Sequence, residues 1–254
     1  MKISGMAALV TGGGSGLGAE TARELARHGA KVAVLDINET AAKAVAAEIG
    51  GLALRCDITD SASVNAALDA AREAHGPARM LMNVAGIGGA RRLVGKDGTP
   101  MPIEDFQRIV NVNLVGTFNV IRLVAAQMLK LDPMDDGERG VIVNTASVAA
   151  YDGQVGQEAY AASKGGIVSL TLPLARDLAQ FGVRVCTIAP GLFLTPLLHE
   201  LPQEVQQSLA ASIPFPKRLG KPEEFAQLAA HIVTNASLNG EVIRLDGALR
   251  LPPR

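Results

Sequence analysis

Met6-Ala7-Ala8-Leu9-Val10-Thr11-Gly12-Gly13-Gly14-Ser15-Gly16-Leu17-Gly18 is the stretch on which the fold turns. Its first five residues form a short apolar run, which predicts a buried strand. Glycines follow at 12, 16 and 18, and Leu17, Thr21, Ala22, Leu25 and Ala26 then recur at helical spacing. Strand, glycine turn and helix make the first half of a nucleotide-binding βαβ unit. Such a turn lets the backbone approach a pyrophosphate, which then meets the amide-rich, positive end of the helix. Gly12, Ser15, Gly16, Leu17 and Gly18 are therefore candidate cofactor residues, although the spacing is not the commoner G-x-G-x-x-G. A second strand, Lys31-Val32-Ala33-Val34-Leu35, runs into Asp36, eighteen positions beyond Gly18. That lies near the ~20 expected of a carboxylate that binds the adenosine ribose hydroxyls. Its charge repels the extra phosphate of NADP, so the cofactor read from these residues is NAD.

Working outward, further strands are expected near 52–56, 80–84, 141–145, 183–188 and 242–245, seven with the first two. Helices are expected near 39–49, 61–75, 104–131, 157–180, 203–211 and 222–235, with Pro173 kinking or breaking the one that holds it. No linker or repeat interrupts the alternation. It predicts one Rossmann-type α/β domain over residues 1–254, a doubly wound seven-stranded parallel sheet covered by helices on both faces. Such sheets bind ligands beyond the carboxyl ends of their strands. One stretch, 88–103, has weak structural signal and carries Arg91, Arg92, Lys96 and Asp97. Long loops are functional or mobile more often than not.

The chemistry sits in Tyr160-Ala161-Ala162-Ser163-Lys164, with Ser147 thirteen residues upstream. Residues four apart on a helix share a face, so the Lys164 ammonium can stand beside the Tyr160 phenol. A phenol ordinarily titrates near 10, too high for a base at neutral pH, and an adjacent positive charge favours the phenolate. The sequence thus predicts a tyrosine prepared for proton transfer.

These residues, with Asp57, Asn83-Val84-Ala85-Gly86, Asn111-Val112-Asn113-Leu114 and Ala189-Pro190-Gly191, make the chain resemble the short-chain dehydrogenases/reductases along essentially its whole length. Within that family, Asn144–Ala150, Phe118–Val124 and Asn239–Ala248 are similar to the type II 3-hydroxyacyl-CoA dehydrogenases, which also act on branched hydroxyacyl-CoA and some hydroxysteroids. The resemblance implies oxidation of a secondary alcohol with hydride passing to NAD. Tyr160 would take the hydroxyl proton. Lys164 and the cationic nicotinamide would hold its pKa down, and Lys164 would also bond the nicotinamide ribose. Ser147 would donate to the developing carbonyl oxygen in the manner of an oxyanion donor. Asn113 would hold a water linking Lys164 to solvent, a role that a structural hydrogen bond inside its helix would not exclude. Asp57 and Ile58 match positions that contact adenine. Asn83, Val84 and Gly86 line the dinucleotide, and Pro190, Phe193 and Thr195 match the segment that holds the carboxamide. Gln154 and Gln157 are candidates for contact with the acyl-CoA carbonyl, or equally for a simple loop role. The charges of 88–103 read either as a clamp on coenzyme A phosphates or as an ordinary solvated loop. The apolar, turn-rich stretch 192–216 suits a lid over a hydrophobic acyl or steroid body.

Composition agrees. The chain has 254 residues, 48% of them apolar, only 3% aromatic and none Trp, so a large core must be built from Ala, Val, Leu and Ile. A formal charge of −1 argues against a broad nucleic-acid surface. The uninterrupted apolar runs fall short of a membrane span, and Met1-Lys2-Ile3-Ser4-Gly5 opens no signal peptide. Cys56 and Cys186 read as core thiols, and the four histidines show no ligand spacing, so no metal and a cytoplasmic setting are expected. Apolar residues on more than one side of 104–131 and 157–180 predict a homo-oligomer, and the resemblance implies a tetramer with the 249–254 tail at its second interface. Two other readings stay open. One is a different enzyme of the family, an acyl-carrier-protein ketoreductase or a steroid or sugar alcohol dehydrogenase. The other is a non-catalytic scaffold or RNA-processing subunit.

Overall fold

The structure, a computed structural model, describes residues 1–199 and 202–253. Glu200 and Leu201, within the expected lid, and Arg254, at the end of the expected interface tail, lie outside the described residues. Seven strands form one parallel sheet: β1 (Ala7–Thr11), β2 (Lys31–Asp36), β3 (Leu52–Arg55), β4 (Ala78–Asn83), β5 (Gly140–Thr145), β6 (Val183–Pro190) and β7 (Val242–Leu245), in the order β3-β2-β1-β4-β5-β6-β7. The chain leaves β1 in one direction for β2 and β3, then returns to its other side at β4. That reversal opens a crevice at the carboxyl ends of β1 and β4, where doubly wound sheets take their ligands.

Side-chain alternation along the strands feeds two cores. Ala8, Val10, Val32, Val34, Met80 and Met82 point to one face, packed by α1 (Gly16–Arg27), α2 (Glu39–Ile49) and α9 (Pro222–Thr234). Leu9, Ala33, Leu35, Leu81, Ile142 and Val185 point to the other, packed by α3 (Ser61–His75), α5 (Thr117–Met128) and α6 (Glu158–Ala179). Burial on both faces explains why the strands read as continuous apolar runs. The charged exception on β6 is Arg184, 7% exposed. It donates to Glu138 and to the carbonyls of Ile232, Val233, Asn235 and Leu238, so it satisfies the groups that α9 leaves open at its end.

Three expectations change. The helical stretch predicted for 104–131 runs as α4 (Ile103–Val110), a π-helical turn at Asn111–Gly116, and α5. At Gly116 a Cβ would lie 2.9 Å from Ile58 Cγ1, so the widened turn is seated hard against the loop after β3. Taken together, Ile103–Met128 is long and apolar enough to cross a bilayer, which a search for uninterrupted apolar runs missed. Half of its most apolar window is buried in the protein, where α5 contributes Val120, Ile121, Val124 and Met128 to the second core. Finally, α6 continues through Pro173 to Ala179. Pro173 and Ser169, whose carbonyl loses its partner, both face solvent, where water serves in place of the missing bond.

The 88–103 segment has little regular structure. Val94 and Pro100 form an isolated antiparallel bridge, and the Arg91 amide donates to the Gly156 carbonyl at 2.8 Å. Two short helices, α7 (Pro196–His199) and α8 (Gln203–Ala211), lie in the stretch expected to cover the site. The stem of that stretch is closed: Phe193 bridges Gly220, with Leu194 donating to the Gly220 carbonyl and Gly220 donating to Leu192, each at 2.8 Å.

Candidate active site

The turns after β1 and β4 meet at the crevice. A Cβ at Gly12 would lie 2.7 Å from Ala85 Cα, and one at Gly18 would lie 2.1 Å from the Gly12 carbonyl oxygen, so only glycine lets these backbones approach. Between them opens a cleft of about 620 Å³. Ser15 is extended, its side chain caps nothing, and the first turn of α1 has no acidic residue. The helix therefore presents bare amides and the positive end of its dipole to the cleft, the arrangement a pyrophosphate needs. On the β2 side, Asp36 lines the cleft with both carboxylate oxygens fixed, one by the Gly14 amide and one by the Asn38 amide, each at 2.9 Å. After β3, Asp57 accepts from the Thr59 amide and hydroxyl, which hold its carboxyl below the ordinary range.

Tyr160 and Lys164 close the other end. They stand one turn apart on α6, with the Lys164 Nζ 5.9 Å from the phenol ring centroid. Lys164 is 5% exposed and donates to the Thr145 carbonyl at 2.8 Å. Burial pushes its ammonium down to about 8. Burial also pushes the Tyr160 phenol up, while a hydrogen bond with Ser147 pulls the other way. Without the cationic nicotinamide expected to share with Lys164 the task of lowering the phenol, burial is the larger influence on it. Ser147 caps the short turn that follows it by accepting from the Ala149 amide at 3.1 Å, which fixes its hydroxyl toward Tyr160.

The buried ammonium has a consequence for stability. Its folded pKa lies below its unfolded value of 10.5, so the cost of holding the charge is full below pH 8 and relieved as pH rises toward 10.5. Between pH 8 and 10, the wild type is expected to gain stability relative to Lys164→Met. Urea midpoints for both proteins at the two pH values measure this, and a constant difference would contradict it.

Asn113 is fully buried on the π turn. Its Oδ1 accepts from the Ile87 amide at 2.8 Å, and its Nδ2 donates to the Ile87 carbonyl and to Ser163 Oγ. The side chain is thus spent on bracing the loop after β4, the structural role raised for it. Gly86 lies beside this brace. A Cβ there would sit 3.1 Å from Asn113 Oδ1 and 3.4 Å from Lys164 Nζ.

The cleft is lined by Gly12, Ser15, Gly16, Leu17, Gly18, Asp36, Asp57, Ile58, Val84, Gly86, Tyr160, Lys164, Pro190 and Thr195, as the sequence suggested. Six expected residues fall outside that lining, among them Ser147 and Asn113, described above. Asn83 lies beneath the floor, 3% exposed, donating to Asn144 Oδ1 at 2.9 Å. Phe193 faces the core, edge-on to Phe225 with its ring packed over Gly220. Gln154 donates to the Pro252 carbonyl, and the Gln157 side chain accepts from the Gln154 amide, so both bind their own chain. The lining also includes Ile37, Cys56, Thr59, Ala85, Ile87, Val112, Thr145 and Ala146, which sequence reasoning passed over. Most are direct neighbours of residues it named, and a strand end offers its ligand consecutive backbone groups as well as alternate side chains. Cys56 is a cleft residue, not only a core thiol, yet burial pushes it up to about 11, so it stays an unreactive thiol. Arg91 is ion-paired with Asp105, which leaves it less available as a phosphate clamp.

The donor set suits a dinucleotide: bare helix amides for a pyrophosphate, a fixed carboxylate for a ribose, and at the far end a buried Thr145 Oγ1 with no hydrogen-bond partner among the described residues. Comparison with known proteins agrees. A family model described as short chain dehydrogenase matches residues 6–206. The 3-hydroxyacyl-CoA dehydrogenase type-2 of Bos taurus is 53% identical over 255 residues, covering 99% of this chain and 98% of that protein. The crystal structure of a 3-hydroxyacyl-CoA dehydrogenase type-2 from Mycobacterium avium superposes with a TM-score of 0.95 at 45% identity, over 98% of each chain. A 3-ketoacyl-(acyl-carrier-protein) reductase from Brucella melitensis complexed with NADH has a TM-score of 0.86 at 34% identity, over 98% of this chain and 100% of that one.

Proposed function

Since the chain belongs to the short chain dehydrogenase family, we propose that it oxidises the secondary hydroxyl of 3-hydroxyacyl-CoA, branched chains and hydroxysteroids among its candidate substrates, to the 3-keto product with NAD. The observation that carries this reading is the set Ser147, Tyr160 and Lys164 at the end of a cleft whose ribose wall is Asp36. The Bos taurus and Mycobacterium avium proteins supply the substrate class by likeness.

A bound NAD would supply the hydride acceptor for the carbinol carbon. Tyr160 Oη takes the hydroxyl proton, and the Ser147 hydroxyl donates to the oxygen as it becomes a carbonyl. Lys164 fixes the nicotinamide ribose with the donors not given to Thr145. Because the Asn113 amide is committed to Ile87 and Ser163, any water it holds for Lys164 would rest on main-chain groups of the π turn. Wild-type protein assayed with 3-hydroxyacyl thioesters and NAD or NADP, at the nicotinamide absorbance, tests the assignment. Failure on every thioester, with turnover of a simple steroid or sugar alcohol, would move the protein elsewhere in its family.

The active unit we propose is a homotetramer. Val115 and Phe118 after α4, and Leu172 on α6, are 51%, 42% and 44% exposed on helices whose other faces are already buried. Exposed apolar faces of this kind mark contact with another surface. Light scattering at micromolar concentration is expected to give a species well above the monomer mass, and a stable, fully active monomer would refute it.

A further inference from the structure

Outside the cleft, a partly buried polar cluster centres on Arg244. Its Nε donates to Asp246 Oδ2 at 2.8 Å, Nη2 and Nη1 donate to the two oxygens of Asp152 at 2.6 and 3.3 Å, and Nη2 also reaches the Leu249 carbonyl at 2.9 Å. The guanidinium lies 5.1 Å from the centroid of the Tyr151 ring. None of these residues lines the cofactor cleft.

What the cluster joins gives it meaning. Asp152 sits in the 151–157 loop, which connects the turn bearing Ser147 to the helix bearing Tyr160. Leu249 begins the last segment of the chain. That segment is tied to the same loop again, where the Val155 amide donates to the Pro253 carbonyl at 3.1 Å and Gln154 Nε2 to the Pro252 carbonyl at 3.0 Å. On its other side Leu249, fully buried, packs with Ile213 and Leu219 at the base of the 192–219 cover, and the Phe215 amide donates to the Gly247 carbonyl at 3.3 Å. One segment therefore touches both walls of the substrate opening.

We propose that Arg244 is a positioning residue for substrate: by clamping 246–253 it sets the spacing between the 151–157 loop and the 192–219 cover, and so determines which acyl bodies fit. The proposal rests on the dehydrogenase reading for what enters the opening. Arg244 alone joins the two carboxylates: the Asp152 and Asp246 side chains are only 15% and 7% exposed and Arg244 pairs with both, whereas the exposed Arg250 pairs with Asp246 at 3.2 Å. Without Arg244, Asp152 loses this ion pair and Asp246 keeps Arg250, so the joint between them opens. A lysine cannot replace the planar fork that grips both oxygens of Asp152 while reaching Leu249.

The test compares Arg244→Gln, Arg244→Lys and Asp152→Asn with wild type, using a short and a long straight-chain 3-hydroxyacyl-CoA. Arg244→Gln is expected to raise KM for the long thioester about 10-fold more than for the short one, with kcat and the NAD Kd changed by no more than about threefold. Arg244→Lys should fail to restore the ratio, and Asp152→Asn should give a smaller shift in the same direction. An unchanged long-to-short ratio, or NAD affinity falling in step with KM, would overturn the role. Amide hydrogen exchange on unliganded wild type and Asp152→Asn covers the case where Arg244→Gln does not fold. Exchange should quicken at both 151–157 and 203–213, and quickening at one segment alone refutes the coupling. If wild type turns over no thioester, the substrate assignment falls while the exchange result still decides the coupling.

Discussion

Tyr160→Phe is expected to lower kcat by at least about 10³-fold while leaving the NAD Kd within about twofold, because the variant loses one oxygen and keeps the ring. A positioned acid–base group contributes ~10²–10⁴-fold, and the neighbouring titratable groups are poorly suited to take its part. Asp36 and Asp57 belong to the β2 and β3 ends of the cleft, Cys56 is pushed up to about 11, and Lys164 enters as an acid. Cofactor titration by fluorescence and single-turnover kinetics on the variant measure both halves. Retention of more than a few per cent of the wild-type rate would remove Tyr160 from the proton-transfer step. Because burial raises the phenol, the oxidation rate of the wild type should climb with pH, and its inflection should move down when NAD is bound.

The second large effect is at Asp36. Asp36→Ala combined with Ile37→Arg should weaken NAD by about 10–100-fold, the value of roughly one hydrogen bond to a charged carboxylate, and should admit NADP. The structure adds a condition that sequence spacing did not supply. The same carboxylate anchors the Gly14 and Asn38 amides, so truncation to Ala also loosens the glycine turn. Asp36→Asn separates the two roles: it keeps one acceptor for the turn while removing the charge that repels a ribose phosphate. Ratios of kcat/KM for the two cofactors across the three proteins decide the matter. Wild type that already prefers NADP would reverse the assignment of Asp36.

The fold was readable because its signals are local. A buried parallel strand announces itself as an apolar run, and a turn that forbids Cβ announces itself as glycine, as Gly12 and Gly18 do at 2.7 and 2.1 Å. Tyr160 and Lys164 were readable for the same reason, four residues apart on one helix. What escaped depends on partners distant in the chain. Phe193 belongs to the core because Gly220 makes room for its ring, and nothing near position 193 says so. The π turn forms where Gly116 meets Ile58, 58 residues earlier. Gln154 looked free to meet substrate until Pro252, 98 residues away, took its amide. The phenol's upward shift is a property of the assembled pocket, invisible in any pair of residues.

The pinned stem at Phe193 and Gly220 has an evolutionary consequence. Everything between those residues is an excursion that leaves the sheet and returns to the same point, so its length is nearly free. Doubling such a loop costs only about 0.6 kcal/mol in closure entropy. Among the described residues the excursion takes no part in the pairing of the seven-stranded sheet, and the Gly12 turn, Asp36 and the Tyr160–Lys164 pair lie outside it. A lineage can therefore exchange this piece and acquire a new clientele while its redox machinery is preserved, provided the replacement keeps Thr195 and Pro196 against the cofactor cleft and still presents apolar side chains where Ile213 and Leu219 meet Leu249. Grafts transplanted at 193 and 220 should inherit the donor's taste in substrates and the recipient's choice of cofactor.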